Sequence, residues 1–423
     1  GNAASEFSHL VFNIAANIWT TSSDRNVPTL SGSTPVASLA DPFTDTDRRD
    51  SLDRPYITSG NNGQQVSYSY DGNGNLKNRT DAAGHSTLYD YDAQDRVIKM
   101  TAADGGITLY SYNTEGRLAY VQDARGLRTL YTYNGLGQKL TQSSPDSGLT
   151  TYTYDSAGRL ASEALANGKT ITYTWDALDR MTSRTSAGTT ESYTYDEGTY
   201  GQGHLTRIND PTGQTTFGYS GAGELIAQVN TIYGQTYSTS WAYDAAGHLT
   251  GMTYPGGLAL YYSYDGYGRL LALTSNLGST WATLANSFLY EPATDRRYAW
   301  RFGNGLPRLV TLDRDGRITQ LGGSTHSLSF GYTTVDTISS LTNNVYPSLS
   351  ASMFYDAADR LTSVARSGDA QTFGLDLVGN RTSQSQQGLA YSLTVDTQSN
   401  RLTAWSAPYR PTRAASATTQ QAT

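Results

Sequence analysis

This sequence predicts an all-β protein: one continuous antiparallel sheet of about seventeen hairpins, coiled into a spiral barrel or shell, with a short N-terminal helix. Three observations carry the prediction. First, Thr151 to Leu160 reads Thr-Tyr-Thr-Tyr-Asp-Ser-Ala-Gly-Arg-Leu, and its Tyr154 recurs backwards every 21 residues as Tyr133, Tyr112, Tyr91 and Tyr70. Forwards it recurs as Trp175, Tyr195, Tyr219, Tyr243, Tyr264 and Tyr290, then more loosely as Leu312, Tyr332, Tyr355, Leu375 and Val395. A fixed period in this range marks a repeat architecture. Second, aromatic and hydroxyl residues alternate with period two within each unit, as in Tyr152-Thr153-Tyr154, the pattern of a strand with two distinct faces. Third, each alternation ends in a turn such as Asp155-Ser156-Ala157-Gly158. The aspartate can accept from amides two residues on, and the glycine can take a positive φ, so the chain reverses tightly.

Taken in order, residues 1–46 differ from the rest of the chain. Phe7, Leu10, Val11, Ile14 and Ile18 fall on one helical stripe, which predicts a short helix over residues 5 to 19, acting as a candidate cap or plug for an open end of the sheet. Residues 20–46, rich in Ser, Thr, Pro and Asp, read as an extended connector or edge strand. Residues 47–405 are the repeats. After each Asp turn the return strand opens on a pair such as Arg159-Leu160, and a second turn follows with Gly before Thr, as at Gly168-Lys169-Thr170. Spacing is strict to about Arg184 and irregular from 195 to 355, where insertions lengthen the turn after Asp196, the connection around Tyr233 and the segments 275–287 and 291–302. Residues 406–423 read as a flexible tail. Thirty-four strands at roughly 4.8 Å apiece span about 160 Å, enough for a ring about 50 Å across or a tighter spiral of about two turns.

The motifs Tyr154-Asp155-x-x-Gly158-Arg159-Leu160, Tyr264-Asp265-x-x-Gly268-Arg269-Leu270, Tyr91-Asp92-x-x-Asp95-Arg96 and Tyr355-Asp356-x-x-Asp359-Arg360-Leu361 resemble those of the YD-repeat or Rhs proteins. That family includes bacterial Rhs polymorphic toxins, the shell component of insecticidal toxin complexes and the teneurin barrel. The resemblance covers residues 47 to 403. It implies a secreted or cell-surface shell without chemistry of its own, whose partner is an encapsulated polypeptide or the rest of a larger shell. Toxin-enclosing members carry an Asp-Pro-x-Gly core segment after the repeats. No stretch after Val395 matches it, so the resemblance carries neither self-cleavage nor an attached toxin domain over to these residues.

Composition narrows the alternatives. A net charge of −7 with scattered Lys and Arg argues against nucleic acid as the main partner, and the absence of Cys removes disulfides and thiolate metal sites. No apolar run reaches membrane-spanning length. The five histidines, His9, His85, His204, His248 and His326, show no metal-ligand spacing, so neither a metal nor a cofactor is expected. Most carboxylates, such as Asp71 and Asp176, are turn residues of the repeat.

A second reading is a carbohydrate-active protein, either a glycan-binding module or a polysaccharide lyase or hydrolase. Its site falls where the repeat is broken, because regular units are committed to wall-building. His204 and His248, each in a slot that usually holds Arg, are the candidate bases, and Tyr200 and Tyr243 the candidate proton donors, with Tyr233 and Tyr254 as further choices. Arg207, Arg296 and Arg301 are candidates to hold the carboxylate of an acidic polysaccharide. Trp241, Trp281 and Trp300 offer stacking surface.

Overall fold

The computed structural model describes residues 8–13, 18–31, 34–277, 281–291, 295–323 and 325–406. A 36-stranded sheet runs from β1 (Ser8–Asn13) to β36 (Leu402–Ser406). Strands consecutive in sequence pair antiparallel throughout, so the whole described chain is one meander. Among the described residues no ladder joins β36 back to β1, and the sheet is not closed by backbone hydrogen bonds.

One unit shows why the chain folds this way. In the hairpin of β13 (Gly148–Tyr154) and β14 (Leu160–Ala164), Tyr154 faces Leu160 while Thr153 faces Ser162, which leaves Ala161 as an extra residue. The same register shift occurs beside Tyr70, Tyr91, Tyr133, Trp175, Tyr195, Tyr219, Tyr243, Tyr264, Tyr332 and Tyr355. The ladders that follow, such as β14 with β15 (Thr170–Trp175), run without a shift. A β-bulge bends and twists its strand. Bulges repeated along one rim of the sheet, with unshifted ladders between them, bend it in one sense, and the sheet coils.

Hydrogen bonds between residues far apart in sequence give the pitch of that coil. The partners lie between 251 and 277 residues apart. Divided by the 21-residue period, this is about twelve or thirteen hairpins, or roughly 25 strands, per turn. At roughly 4.8 Å per strand the circumference is about 120 Å and the diameter about 40 Å before strand tilt is added. The described strands therefore make about 1.4 turns, fewer than the two turns expected from length alone.

The predicted N-terminal helix does not form. Ser8–Asn13 and β2 (Ile18–Ser31) are strands, paired with Phe12 opposite Trp19 and Val11 opposite Thr20. A helical stripe of five apolar residues spread over twelve positions is weak beside a run such as Leu10-Val11-Phe12, which also suits a strand, and pairing along a ladder decides the outcome. Residues 1–7 and 14–17, and the tail from 407 to 423, lie outside the described residues. The expected connector is instead a long hairpin of β2 with β3 (Thr34–Arg49), and β3 in turn pairs with β4 (Pro55–Ser59).

Burial is sparse, as expected for a single-layered wall. Among the described residues the buried hydrophobics are Ala259, Ala285, Tyr298, Ala299, Leu309, Val310 and Ala351. Four of these form one cluster on β26 (Arg297–Phe302) and β27 (Pro307–Leu312), packed with Leu289, Trp300, Leu312 and Leu321. That cluster lies where β2 and β3 come against β26 and β27.

Candidate functional site

The Asp turns that follow the repeat tyrosines project from one rim of the sheet, and each residue of the motif has a task there. Oδ1 of Asp155 accepts from the amides of Ala157 and Arg159, at 3.0 and 2.9 Å, and Oδ2 accepts from Arg159 Nε at 2.8 Å. The Arg159 amide first, and its guanidinium after it, hold the Asp155 carboxyl below the usual range. The tyrosine joins neighbouring hairpins. The Tyr154 hydroxyl donates to Lys139 O at 2.8 Å, that of Tyr91 to Leu76 O at 2.8 Å and that of Tyr264 to Leu249 O at 2.7 Å. Trp175 makes the same bridge with its indole N–H, to Leu160 O at 2.8 Å. Because a tyrosine and the carbonyl that it reaches belong to adjacent units, this bond acts as a staple along the sheet.

The arginine leans the other way, over the next unit. Arg54 lies 4.3 Å above the ring of Tyr70, Arg96 4.4 Å above Tyr112 and Arg180 4.4 Å above Tyr195. Where Asp replaces the turn glycine it sits at positive φ, and Asp179 and Asp336 there meet that arginine, Asp179 at 2.9 Å from Arg159. In the lengthened turn after Tyr195, Asp196 accepts two bonds from Arg180, at 3.0 and 2.7 Å, and one from the Gly203 amide at 2.7 Å. Arg180 first, then that amide, bring the Asp196 pKa down to about 2. The insertion lengthens the loop and leaves the rim contact in place.

A second row of interactions has no local signature in the sequence. Turns on the far rim of the first coil dock onto Asp turns of the second coil. Asp315 accepts from Asn61 Nδ2 and Gln64 Nε2, both at 2.8 Å, and from Asn62. Gly106 passes so near the Leu377 carbonyl that a Cβ there would lie 3.2 Å from it. Arg360 pairs with Asp104 at 2.8 Å. Arg125 donates to Ser399 O at 2.7 Å, Asn400 Oδ1 at 3.0 Å and Asp396 O at 2.6 Å. Asn400 reaches Asp123 at 3.1 Å, and its amide reaches Asp146 at 2.6 Å. Four far-rim turns, around Asn61, Asp104, Arg125 and Asp146, thus meet the turns that open on Asp313, Asp356, Asp376 and Asp396, and this seam fixes the pitch.

The residues proposed for glycan chemistry are spread along the sheet. His204 stacks on Tyr219 at 4.3 Å, and His248 stacks on Tyr264 at 4.9 Å while its Nδ1 lies 3.0 Å from Asp244 Oδ2. Each histidine therefore occupies the arginine slot and covers the next tyrosine, as arginine does elsewhere. Two hairpins separate the two slots, roughly 20 Å along the rim. Tyr200 and His204 do come together, both resting on the following turn, against Gly221 and Gly223. Arg207 pairs with Glu197 at 2.7 Å, and Arg296 donates to Gly316 O at 2.6 Å. Trp241 and Tyr243 lie on β21 (Gln235–Tyr243), opposite Met252 and Leu249, with Tyr233 exposed in the turn that leads into that strand. Tyr254 is partly exposed in the next turn. Trp300 lies between Phe288 and Phe302, and Arg301 sits opposite Asn286. Trp281 meets Tyr261 edge-on at 4.7 Å, and the pair, with Thr274, Ala282 and Thr283, lines a shallow recess of about 360 Å³.

Among the described residues no helix is long and apolar enough to cross a membrane. Comparison with known proteins gives one picture. Residues 106–281 match the teneurin YD-shell family and residues 70–107 the RHS repeat family. No curated protein gives a significant match. Among solved structures, the TcdB2-TccC3 complex is similar, with a TM-score of 0.76 at 17% identity over 94% of this chain and 26% of that one. The Tc holotoxin pore of Photorhabdus luminescens, with a TccC3 variant, gives 0.68 at 17% identity over 90% of this chain and 26% of that one. A TcdB2-TccC3-Cdc42 structure gives 0.69 at 17% identity over 90% and 26%. The chain thus spans about a quarter of the length of the solved chains that it matches, and what it shares with them is the coiled wall. The two family matches together run from residue 70 to residue 281, over the stapled Tyr-Asp hairpins of the rim, and over these residues the chain belongs to the YD-repeat, or Rhs-repeat, family.

Proposed function

We propose that this chain is wall: a segment of a secreted bacterial YD-repeat shell that surrounds a polypeptide, alone or as part of a larger shell. The observation that carries the reading is the seam. It stacks one coil on the next by turn-to-turn contacts and leaves the strand faces uncommitted, as a wall requires. Size supports the second half. A coil about 40 Å across, less a layer of side chains on each side, leaves an interior of roughly 30 Å. A folded 100-residue domain has a radius of gyration of about 13 Å, hence a diameter of roughly 34 Å, and does not fit. The enclosed polypeptide is therefore short or held unfolded, or further wall enlarges the chamber. In this reading the hairpin of β2 and β3 caps the sheet where it lies against β26 and β27.

Protease protection tests the proposal. A polypeptide fused beyond residue 423 should survive a protease that destroys the same polypeptide alone, and deleting residues 1–45 should expose it. Equal digestion rates with and without the wall would refute encapsulation by this chain.

The shelf of Tyr261 and Trp281, 48% and 59% exposed, favours one second reading, a glycan-contacting patch on the outside or inside of the wall. Affinity for acidic polysaccharides that Trp281→Ala removes supports it, and no binding across a panel discards it.

A further inference from the structure

We propose that Asp81, His85 and Asp359 form a divalent-cation site that clasps the two coils of the spiral together. Asp81 and His85 belong to the far-rim turn between β6 (Leu76–Thr80) and β7 (Ser86–Tyr91). Asp359 belongs to the Asp turn between β31 (Ala351–Tyr355) and β32 (Leu361–Arg366), one coil later. One ligand atom from each residue lies within 4.8 Å of the others. His85 Nδ1 is 3.3 Å from Asp81 Oδ2 and 3.7 Å from Asp359 Oδ1.

Three features single this place out along the seam. His85 Nδ1 is shielded from solvent and has no hydrogen-bond partner. The Asp81 side chain is only 9% exposed, and the amides of Ala83 and His85 hold its Oδ1 at 2.9 Å, which leaves Oδ2 directed at the imidazole. Elsewhere on the seam a carboxylate meets a cation or amides: Asp104 meets Arg360, and Asp315 meets Asn61, Asn62 and Gln64. Here two carboxylates converge on one imidazole.

Two carboxylates and an imidazole suit Zn²⁺ or Mn²⁺, whose bonds to such ligands are about 2.0–2.2 Å. The ligand atoms need to close by roughly 1 Å, and Asp359, the more exposed partner at 42%, is placed to do so. An adjoining cavity of about 410 Å³, lined by Thr333, Thr334, Thr337 and Ser339 among others, has room for water as the remaining ligands. A cation held there joins residues 274 positions apart in the chain and locks the pitch, whatever the wall encloses.

The test uses the full chain freed of metal by chelation. Titration with Zn²⁺, and separately with Mn²⁺, Ca²⁺ and Mg²⁺, should show one equivalent of Zn²⁺ or Mn²⁺ bound, a raised melting temperature and slower amide exchange at both 81–91 and 355–361. His85→Ala and Asp359→Asn should each weaken binding by roughly tenfold or more. Asn suits the positive φ of 57° at position 359, so that variant keeps the fold and remains informative should His85→Ala not fold. Absence of stoichiometric binding, or binding that survives Asp359→Asn unchanged, would overturn the proposal.

Discussion

Replacing Arg125 with alanine should loosen the end of the spiral and leave its middle untouched. Arg125 stands in the first coil, 19% exposed, and its guanidinium makes three hydrogen bonds into the second coil, to Ser399, Asn400 and Asp396, besides lying 3.6 Å from Asp376. A hydrogen bond from a charged donor is worth about 1.5–3 kcal/mol, and water reaching this partly exposed place restores some of it. The net loss is about 2–4 kcal/mol, set against local opening of the last hairpins rather than global unfolding. At about 1.4 kcal/mol per tenfold, amide exchange in the strands between Asp369 and Ser406 should quicken roughly 30- to 700-fold. Strands between Leu160 and Tyr243, roughly two to six hairpins further along the sheet from Arg125, should exchange as before. Hydrogen exchange read by mass spectrometry distinguishes the outcomes. Arg125→Lys, which keeps charge but loses the forked geometry, should fall between. An unchanged C-terminal end, or an even acceleration over the whole sheet, would refute the idea that the seam holds the second coil on the first.

Other predictions address the rim. Tyr264→Phe removes the staple to Leu249 and should cost about 0.5–1.5 kcal/mol in urea unfolding; no loss would deny the staple its role. Gly268→Ala places a Cβ at φ +78°, 2.7 Å from His248 Nε2, and should cost about 1–2 kcal/mol, a strain absent at a glycine with negative φ and open space such as Gly135. His248→Arg restores the repeat residue and should leave folding intact, because arginine covers the next tyrosine in the other units; collapse of the fold would show that the histidine does something else. Asp196, with its pKa lowered to about 2 in the folded chain against about 3.9 unfolded, contributes stability that is complete above pH 4 and lost as pH falls toward 2. Asp92, Asp155 and Asp265 are lowered as well, so the melting temperature should drop together below pH 4, and a flat profile from pH 6 to 2.5 would contradict the rim chemistry.

The sequence discloses what is decided within one unit. Tyr154, Asp155, Gly158 and Arg159 lie within six positions, so their alternation and spacing point directly to a hairpin with a tight turn. The arginine slot of His204 and His248 is legible for the same reason. The tyrosine staple is half-legible, since it joins adjacent units and requires only that the unit repeats. The pitch is not legible, because it accumulates from the bend at each bulge, and its consequences join residues such as Asn62 and Asp315, 253 positions apart. His85 shows the limit well. Its local partner Asp81 reads as a turn residue, and Asp359 arrives only through the coil. At the N-terminus the failure is of another kind, for the spacing of Leu10, Val11 and Ile18 fits a helix and a strand about equally, and the ladder between Phe12 and Trp19 is a choice made by pairing.

The coil itself can be tested by cross-linking, since the chain has no cysteine of its own. Asn61 and Asp315 touch across the seam, at 2.8 Å between Nδ2 and Oδ1. With both changed to cysteine, mild oxidation or a short bis-maleimide should join them within one chain in high yield. Cysteines at Asn61 and Asp176, which lie on different parts of the same coil, should remain separate. Efficient joining of the first pair alone is the result that the spiral predicts. No cross-link between positions 61 and 315, in a chain that folds and melts normally, would contradict it.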